Sequence, residues 1–262
     1  MSNHPIGIFD SGVGGLSIWK EIIQLLPNEN TVYLADSANA PYGERTKNQI
    51  IDLCVKNTEI LLKKGCKLIV VACNTATTNA IQFLRAKYDV PFIGIEPAIK
   101  PAALKTKTNK IGILATKGTL NSELFAATSE KHVSGIEVIE TIGKGLVPLI
   151  EDNKINSTEM DSLLKKYIKP MLENDVDCLV LGCTHYPFLV PQIKKMTGDT
   201  IEIIDSGLAV AKQTKAILVK HQITSNNTQK GEHIIYSNTA LTTIKHLVDA
   251  TEKNIQLVLE KY

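Results

Sequence analysis

The sequence predicts an α/β fold of two similar lobes, each a parallel-type sheet flanked by helices, related by pseudo-twofold symmetry with an active site in the cleft. Three observations predict it. Short Val- and Ile-rich runs alternate with longer amphipathic stretches, the pattern of β-α units around a buried parallel sheet. Three segments recur in the same order at offsets of 105, 110 and 109: Ile6-Gly7-Ile8-Phe9 as Ile111-Gly112-Ile113-Leu114, Val70 to Thr75 as Val180 to His185, and Phe92 to Glu96 as Glu202 to Asp205. Between the copies, Glu96-Pro97-Ala98-Ile99-Lys100-Pro101 leads into the polar run Lys105 to Lys110, a suitable crossover.

The strands are expected at Ile6–Phe9, Thr31–Ala35, Leu68–Ala72, Phe92–Ile95, Ile111–Ala115, Ile136–Glu140, Cys178–Leu181, Ile201–Ile204 and His233–Tyr236. Helical spacing is clearest in Thr46–Lys64, where Ile50, Leu53, Ile60 and Leu61 are read on one face, with Asn57 and Lys64 off it. A second helix is expected over Thr75–Lys87. The tail from Gly207 holds a helix, the last strand and another helix from near Thr239, too little for a core of its own. It is expected to pack back on the first unit, so that residues 1–97 plus 208–262 form the first lobe and 98–207 the second.

Composition excludes several classes. With 29 Lys and Arg against 27 Asp and Glu, the chain has no field to steer nucleic acid or anionic lipid. Apolar runs such as Leu68 to Cys73 fall far short of the ~20 residues of a membrane span. The Met1-Ser2-Asn3-His4-Pro5 start does not read as a secretory signal, and the expected location is cytoplasmic. The five cysteines contain no CxxC pair, which argues against a disulfide framework and a thiol metal site.

In an open parallel sheet the ligand crevice lies beyond the carboxyl ends of the strands. After the first strand stands Asp10-Ser11-Gly12-Val13-Gly14-Gly15, a turn whose glycines admit a ligand and whose following helix offers N–H groups to an anion. The alternative is a tight turn with Asp10 as a cap. Ser17 replaces the third glycine of a dinucleotide fingerprint and no Gly-Lys-Ser/Thr ending is present, so nucleotide binding is not expected. Cys73 and Cys183 each end a strand and begin a polar turn into a helix, where a thiol tends towards thiolate, although a strand cysteine is also an ordinary small hydrophobe. Their matching positions in the two copies favour chemistry; Cys54, Cys66 and Cys178 are read as structural. His185, two residues after Cys183, is a candidate acid or base. Asn74 and Thr75 offer donors for a carboxylate or plain N-caps, and Pro41-Tyr42-Gly43 alone is an ordinary turn.

Five segments together carry a resemblance: Phe9 to Gly15, Asp36 through Pro41-Tyr42-Gly43, Ala72-Cys73-Asn74-Thr75-Ala76, Leu149-Ile150-Glu151, and Gly182-Cys183-Thr184-His185-Tyr186-Pro187. In this order, over nearly the whole chain, they resemble the glutamate racemase family. The resemblance implies interconversion of L- and D-glutamate without a cofactor, supply of D-glutamate for peptidoglycan, and a homodimer. It implies Cys73 and Cys183 as bases on opposite faces of the α-carbon, Asp10 assisting near Cys73, His185 near Cys183, and Glu151 close to His185. It also implies glutamate-binding positions at Asp10, Ser11, Tyr42, Gly43, Asn74, Thr75, Thr116, Thr184 and His185. Ser37 stands where many relatives have threonine, a change that keeps the hydroxyl.

The chemistry agrees with two copies of one unit. Inverting an α-carbon removes a proton from one face and returns one to the other, which requires one thiolate and one thiol roughly 7 Å apart. Three alternatives remain at this level. An aspartate or other amino-acid racemase would share the two-lobed fold and paired cysteines; a hydrolase with Cys183 as nucleophile and His185 as base would leave Cys73 idle. A two-lobed binding protein would do no chemistry.

Overall fold

A computed structural model describes residues 2–248 and 253–262. The chain begins with β1 (Ile6–Asp10), α1 (Leu16–Leu25), β2 (Thr31–Ala35), α2 (Lys47–Lys63), β3 (Leu68–Val71), α3 (Asn74–Lys87) and β4 (Phe92–Gly94). It continues through α4 (Ile99–Lys105), β5 (Lys110–Ala115), α5 (Lys117–Leu120), α6 (Glu123–His132), β6 (Glu137–Ile142), α7 (Leu146–Glu151), α8 (Thr158–Glu173), β7 (Cys178–Gly182), α9 (Val190–Thr197) and β8 (Glu202–Ile204). Last come α10 (Gly207–Lys220), β9 (His233–Ser237), α11 (Thr242–Leu247) and β10 (Ile255–Leu259).

These strands form two parallel sheets, ordered β10-β9-β2-β1-β3-β4 and β6-β5-β7-β8. Stripped of β9 and β10, the two have the same order: second, first, third, fourth. The register repeats as well. Ile6 faces Leu68 in one sheet and Ile111 faces Cys178 in the other, which reproduces the offsets of 105 and 110 and makes Cys73 the counterpart of Cys183. The fourth strands match less well, since Ile93 faces Val70 and Ile204 faces Val180, an offset of 111 where the sequence suggested 109. Only the end of the repeat slips.

Central strands β1, β2, β3 and β7 are buried along their whole length, as expected where helices cover both faces of a parallel sheet. One apolar cluster runs from Ile8, Trp19 and Tyr33 through Leu146 and Ile150 to Leu179 and Leu181, joining the two sheets. Separate clusters back the first sheet, around Phe9, Ile50 and Val71, and the second, around Ile111, Phe125 and Val180. Each such fully buried side chain contributes about 1.5–3 kcal/mol.

Helix α2 starts at a capping box, in which the Thr46 hydroxyl accepts from Gln49 N–H and the Gln49 side chain accepts from Thr46 N–H. It ends before Gly65, whose φ of +76° suits glycine. Its buried face is Ile50, Cys54, Asn57, Thr58 and Leu61, so Asn57, read in the sequence as off the apolar face, is fully buried on it. The helical period requires this: 50, 54, 57, 58 and 61 lie on one stripe. The tail does return to the first sheet, β9 pairing with β2. It carries β10 as well, absent from the sequence reading. Cys54, Cys66 and Cys178 are buried away from any turn into a helix, and burial pushes the first of them far above the usual thiol range and the other two to about 12 and about 11.

Candidate active site

The turn after β1 is an anion site, and the anions it holds are the protein's own. Asp10 is fully buried at the end of the strand; its Oδ2 accepts from Gly15 N–H at 2.9 Å and Gly12 N–H at 3.3 Å. Val13 N–H donates to Glu151 Oε1 at 2.7 Å. The glycines therefore make room for side chains from the other lobe. A Cβ at Gly12 would stand 1.9 Å from Glu151 Oε1, and one at Gly14 2.2 Å from His185 Nδ1. Burial raises the Asp10 carboxyl above its usual range; His185 is the leading opposing influence and Gly15 N–H adds to it.

Cys73 follows β3 and caps α3, its Sγ accepting from Ala76 N–H at 3.4 Å. The thiol also lies 3.7 Å from Ser11 Oγ. Burial pushes it well above the usual thiol range and the Asp10 carboxylate adds to that, while Ala76 N–H and Ser11 pull the other way. Cys73 therefore rests as a thiol at neutral pH.

Cys183 follows β7 at the corresponding turn, with Sγ 3.7 Å from His185 Nδ1. The other ring nitrogen, Nε2, is 2.6 Å from Glu151 Oε1, and Glu151 Oε2 accepts from the Ser37 hydroxyl at 2.7 Å. Burial alone would lower the imidazole; the bonds to Cys183 and Glu151 outweigh it and hold His185 well above the usual histidine range. Burial likewise pushes Glu151 up, but His185, Ser37 and Val13 N–H bring it below the usual carboxylate range. An imidazolium thus sits between a carboxylate and the Cys183 sulfur.

Both sulfurs face one narrow cavity of ≈ 10 Å³, room for about one water, lined by Ser11, Pro41, Tyr42, Gly43, Cys73, Asn74, Thr75, Thr116, Val147, Cys183, Thr184 and His185. Asp10 and Glu151 stand behind this wall. Asn74 is buried at 2% exposure, and neither Nδ2 nor Oδ1 has a partner among the described residues. Such a group costs about 1–3 kcal/mol unless something binds it. The Thr184 hydroxyl donates to Asp10 Oδ1 at 3.4 Å. Across the cleft Thr75 Oγ1 lies 2.7 Å from Thr116 Oγ1 and 3.2 Å from Thr119 Oγ1, a triangle of hydroxyls that joins α3 to α5. Next to the cavity a wider groove of ≈ 650 Å³ opens between Gly43, Arg45, Lys117 and Lys144.

Tyr42 lines the cavity, but its hydroxyl is engaged elsewhere. Its side chain is buried, and Oη donates to Asp36 Oδ2 at 2.5 Å while accepting from Asn57 Nδ2 at 3.1 Å. Asp36 Oδ1 also accepts from Asn39 Nδ2 at 2.8 Å and Asn238 Nδ2 at 2.6 Å. Burial and the Asp36 charge hold the phenol well above its usual range. The first backbone N–H groups of the 3-10 turn Tyr42–Glu44 have no carbonyl of that turn to bond and are what this loop can offer. Sequence reasoning gave no site role to Thr119, Asn57, Asn238 or Val147, and read Val13 only as part of the turn after β1. Only Asn57 left a signal, a polar residue on an apolar stripe.

No group of three or more His, Cys, Asp or Glu among the described residues is placed to hold a metal ion, and no helix among them is long and apolar enough to cross a membrane. The arrangement suits proton transfer at one carbon: two sulfurs, each with an acid or base partner, face one small cavity rich in hydroxyl and amide groups.

A family model, Asp/Glu/hydantoin racemase, matches residues 6–214. This chain belongs to that family. Within it, the chain is 47% identical over 223 residues to a glutamate racemase of Ectopseudomonas mendocina, covering 85% of each chain. Among solved structures, a glutamate racemase isoform from Bacillus anthracis superposes with TM-score 0.85 at 29% identity, covering 99% of this chain and 98% of that one. A glutamate racemase from Escherichia coli, in complex with L-glutamate and the activator UDP-MurNAc-ala, matches with TM-score 0.84 at 30% identity over 98% of both chains. The family's two-lobed α/β fold is the fold described above.

Proposed function

We propose that the protein is a glutamate racemase working by a two-base mechanism without a cofactor. One observation supports this above the rest: Cys73 and Cys183, at equivalent register positions of two similar sheets, line the same cavity. A hydrolase needs one nucleophile and gives the second sulfur and its partner no task.

In this reading one sulfur, as thiolate, removes the α-proton from one face, and the opposite thiol donates a proton to the other face. Ionised Cys183 pushes the Cys73 thiol further up, which favours one thiolate at a time. Each sulfur has its own proton partner. Asp10, raised by burial, accepts the proton of Cys73; His185, held as imidazolium by its bonds to Cys183 and Glu151, exchanges with Cys183. The weak acidity of the α-proton is met by donors that hold the carboxylates as charge develops: Ser11, Asn74, Thr75, Thr184 and the backbone at Tyr42 and Gly43. Thr116, braced by Thr119, closes the far wall, and exclusion of water strengthens every such bond.

The reading extends to the rest of what the activity entails: glutamate as the partner in preference to nucleic acid or membrane, D-glutamate supplied to peptidoglycan, a cytoplasmic location and a homodimer. Incubation of each glutamate enantiomer with the protein in D₂O tests the core claim, since deuterium must enter the α-position. If neither enantiomer exchanges, the reading is lost. Competition by aspartate then measures side-chain choice.

A further inference from the structure

Glu151 belongs by chain to the second lobe, at the end of α7, yet most of what holds it comes from the first lobe. Val13 N–H donates to Oε1 and the Ser37 hydroxyl to Oε2, each at 2.7 Å. From α11, the Thr243 hydroxyl donates to the Glu151 carbonyl at 2.6 Å. The other neighbour of the carboxylate is His185 Nε2 at 2.6 Å, and Nδ1 of that ring faces Cys183. A line of contacts therefore runs from Ser37 through Glu151 and His185 to one sulfur.

The other half of the site is built differently. Asp10 is held by Gly12 and Gly15 N–H groups of its own turn, and among the described residues of the second lobe the Thr184 hydroxyl alone donates to it, at 3.4 Å. Ser37 has no part in it. Nor does Ser37 line the cavity, so it cannot touch a bound substrate there.

We infer that Ser37 is a positioning residue for proton transfer at Cys183, acting through Glu151 and His185, and that it has no such role at Cys73. The terminal torsion of a glutamate side chain is soft, so a carboxylate with one oxygen unheld turns readily. The Ser37 hydroxyl fixes Oε2 and thereby aims Oε1 at the imidazole, which in turn keeps Nδ1 on the sulfur. Because the hydroxyl comes from the first lobe, this alignment is complete only when the lobes are together.

The inference rests on the racemase reading, and the kinetics of a racemase make it testable. Enantiomers have equal free energy in water, so any variant lowers kcat/KM by the same factor in both directions, and rates alone cannot assign a residue to one sulfur. The α-deuterium isotope effect can. If transfer at Cys183 is slowed, C–H cleavage becomes more rate-limiting for the enantiomer that Cys183 deprotonates, and less so for the other.

For Ser37→Ala, kcat/KM is expected to fall about tenfold, the lower end for losing one donor to a charged group. The isotope effect should rise for one enantiomer only, the same one for which His185→Asn raises it. Ser37→Thr, which retains the hydroxyl, should restore both the rate and the parent isotope effects. Isotope effects that shift together for both enantiomers, no shift at all, or a Thr variant behaving as the Ala variant would each overturn the assignment while leaving the racemase intact. Failure of the parent protein to exchange either enantiomer in D₂O overturns the racemase reading and this role with it.

Discussion

The phenol of Tyr42 is spent on Asp36: Oη donates to Oδ2 at 2.5 Å, and the side chain that bears it is buried against the first sheet. The residue thus serves the cavity through the backbone it anchors, with Asp36 as the fixed point that also gathers Asn39, Asn57 and Asn238. Tyr42→Phe should cost about 1.5–3 kcal/mol, the range for a hydrogen bond to a buried charge, read as a lower denaturant midpoint. KM should rise with it because Gly43 loses its anchor. Unchanged stability would mean that the three asparagines suffice.

Each sulfur should be indispensable. Cys73→Ser and Cys183→Ser replace a thiol by a hydroxyl too weakly acidic to act as base, and each should lower kcat by at least about a hundredfold while leaving the circular dichroism spectrum unchanged. An equimolar mixture of the two variants should stay inactive, because both sulfurs must face one cavity of one chain. Full activity in either variant would rule out the two-base assignment.

The protonation of His185 should depend on Glu151. The ring is buried, which by itself favours the neutral form, and the bonds to Cys183 and Glu151 reverse this. Glu151→Gln removes the negative charge and leaves burial in place, so the imidazole titration, followed by NMR of the labelled ring, should move down towards neutrality. At neutral pH the variant should then hold less imidazolium and transfer protons at Cys183 more slowly. A titration that does not move would show that Cys183 alone sustains the charge.

Much of this was legible in the sequence because a parallel sheet buried on both faces writes its strands as continuous apolar runs, and the ends of those runs are where a cleft forms. That is why Asp10, Cys73 and Cys183 stood out. Asp10 was legible in kind but not in partner. The turn after β1 promised N–H groups for a ligand, and Gly12, Val13 and Gly15 give them to Asp10 and Glu151. Glu151 comes from a helix more than a hundred residues away, a pairing no local pattern contains. β10 leaves little signal in the sequence because Ile255–Leu259 is a half-buried edge strand whose alternation is incomplete. Asn57 reads as off the apolar face by its polarity, but its helical phase puts it on the buried stripe, where its amide bonds Tyr42.

His233 makes part of the stability depend on pH. It is buried in β9, where the Thr31 hydroxyl lies 3.0 Å from Nδ1 and accepts from Trp19 Nε1 at 3.0 Å, a chain that suits a neutral ring. Burial, aided by Lys230, lowers it to about 4. In the unfolded chain the ring titrates near 6.5, so between about pH 6.5 and 4 the unfolded state binds the extra proton and stability falls as pH falls. This contribution should amount to about 2 kcal/mol, allowing for partial solvent screening. Denaturant midpoints measured from pH 7 to 4 check it: His233→Gln should flatten that slope, and an equally steep slope would assign the effect to other groups.

Closure of the cleft should depend on the absence of a side chain at Gly118. A Cβ there would lie 2.9 Å from Thr75 Cγ2 and 3.0 Å from Gly43 Cα, both across the cleft, with the Gly43 carbonyl oxygen at 3.2 Å. Asn79 Nδ2 reaches the Gly118 carbonyl at 3.1 Å, so the two sides are already drawn together at this point. Gly118→Ala should act as a wedge. Overpacking of this kind costs about 1–3 kcal/mol, and because the contact lies between lobes, the cost falls on the closed state. KM for both enantiomers should therefore rise, by about tenfold for 1.4 kcal/mol, with a smaller change in thermal midpoint than a core overpacking of the same size would give. A KM equal to that of the parent would mean that substrate is captured without the Gly43–Gly118 contact, and that closure is achieved on the Glu151 side instead.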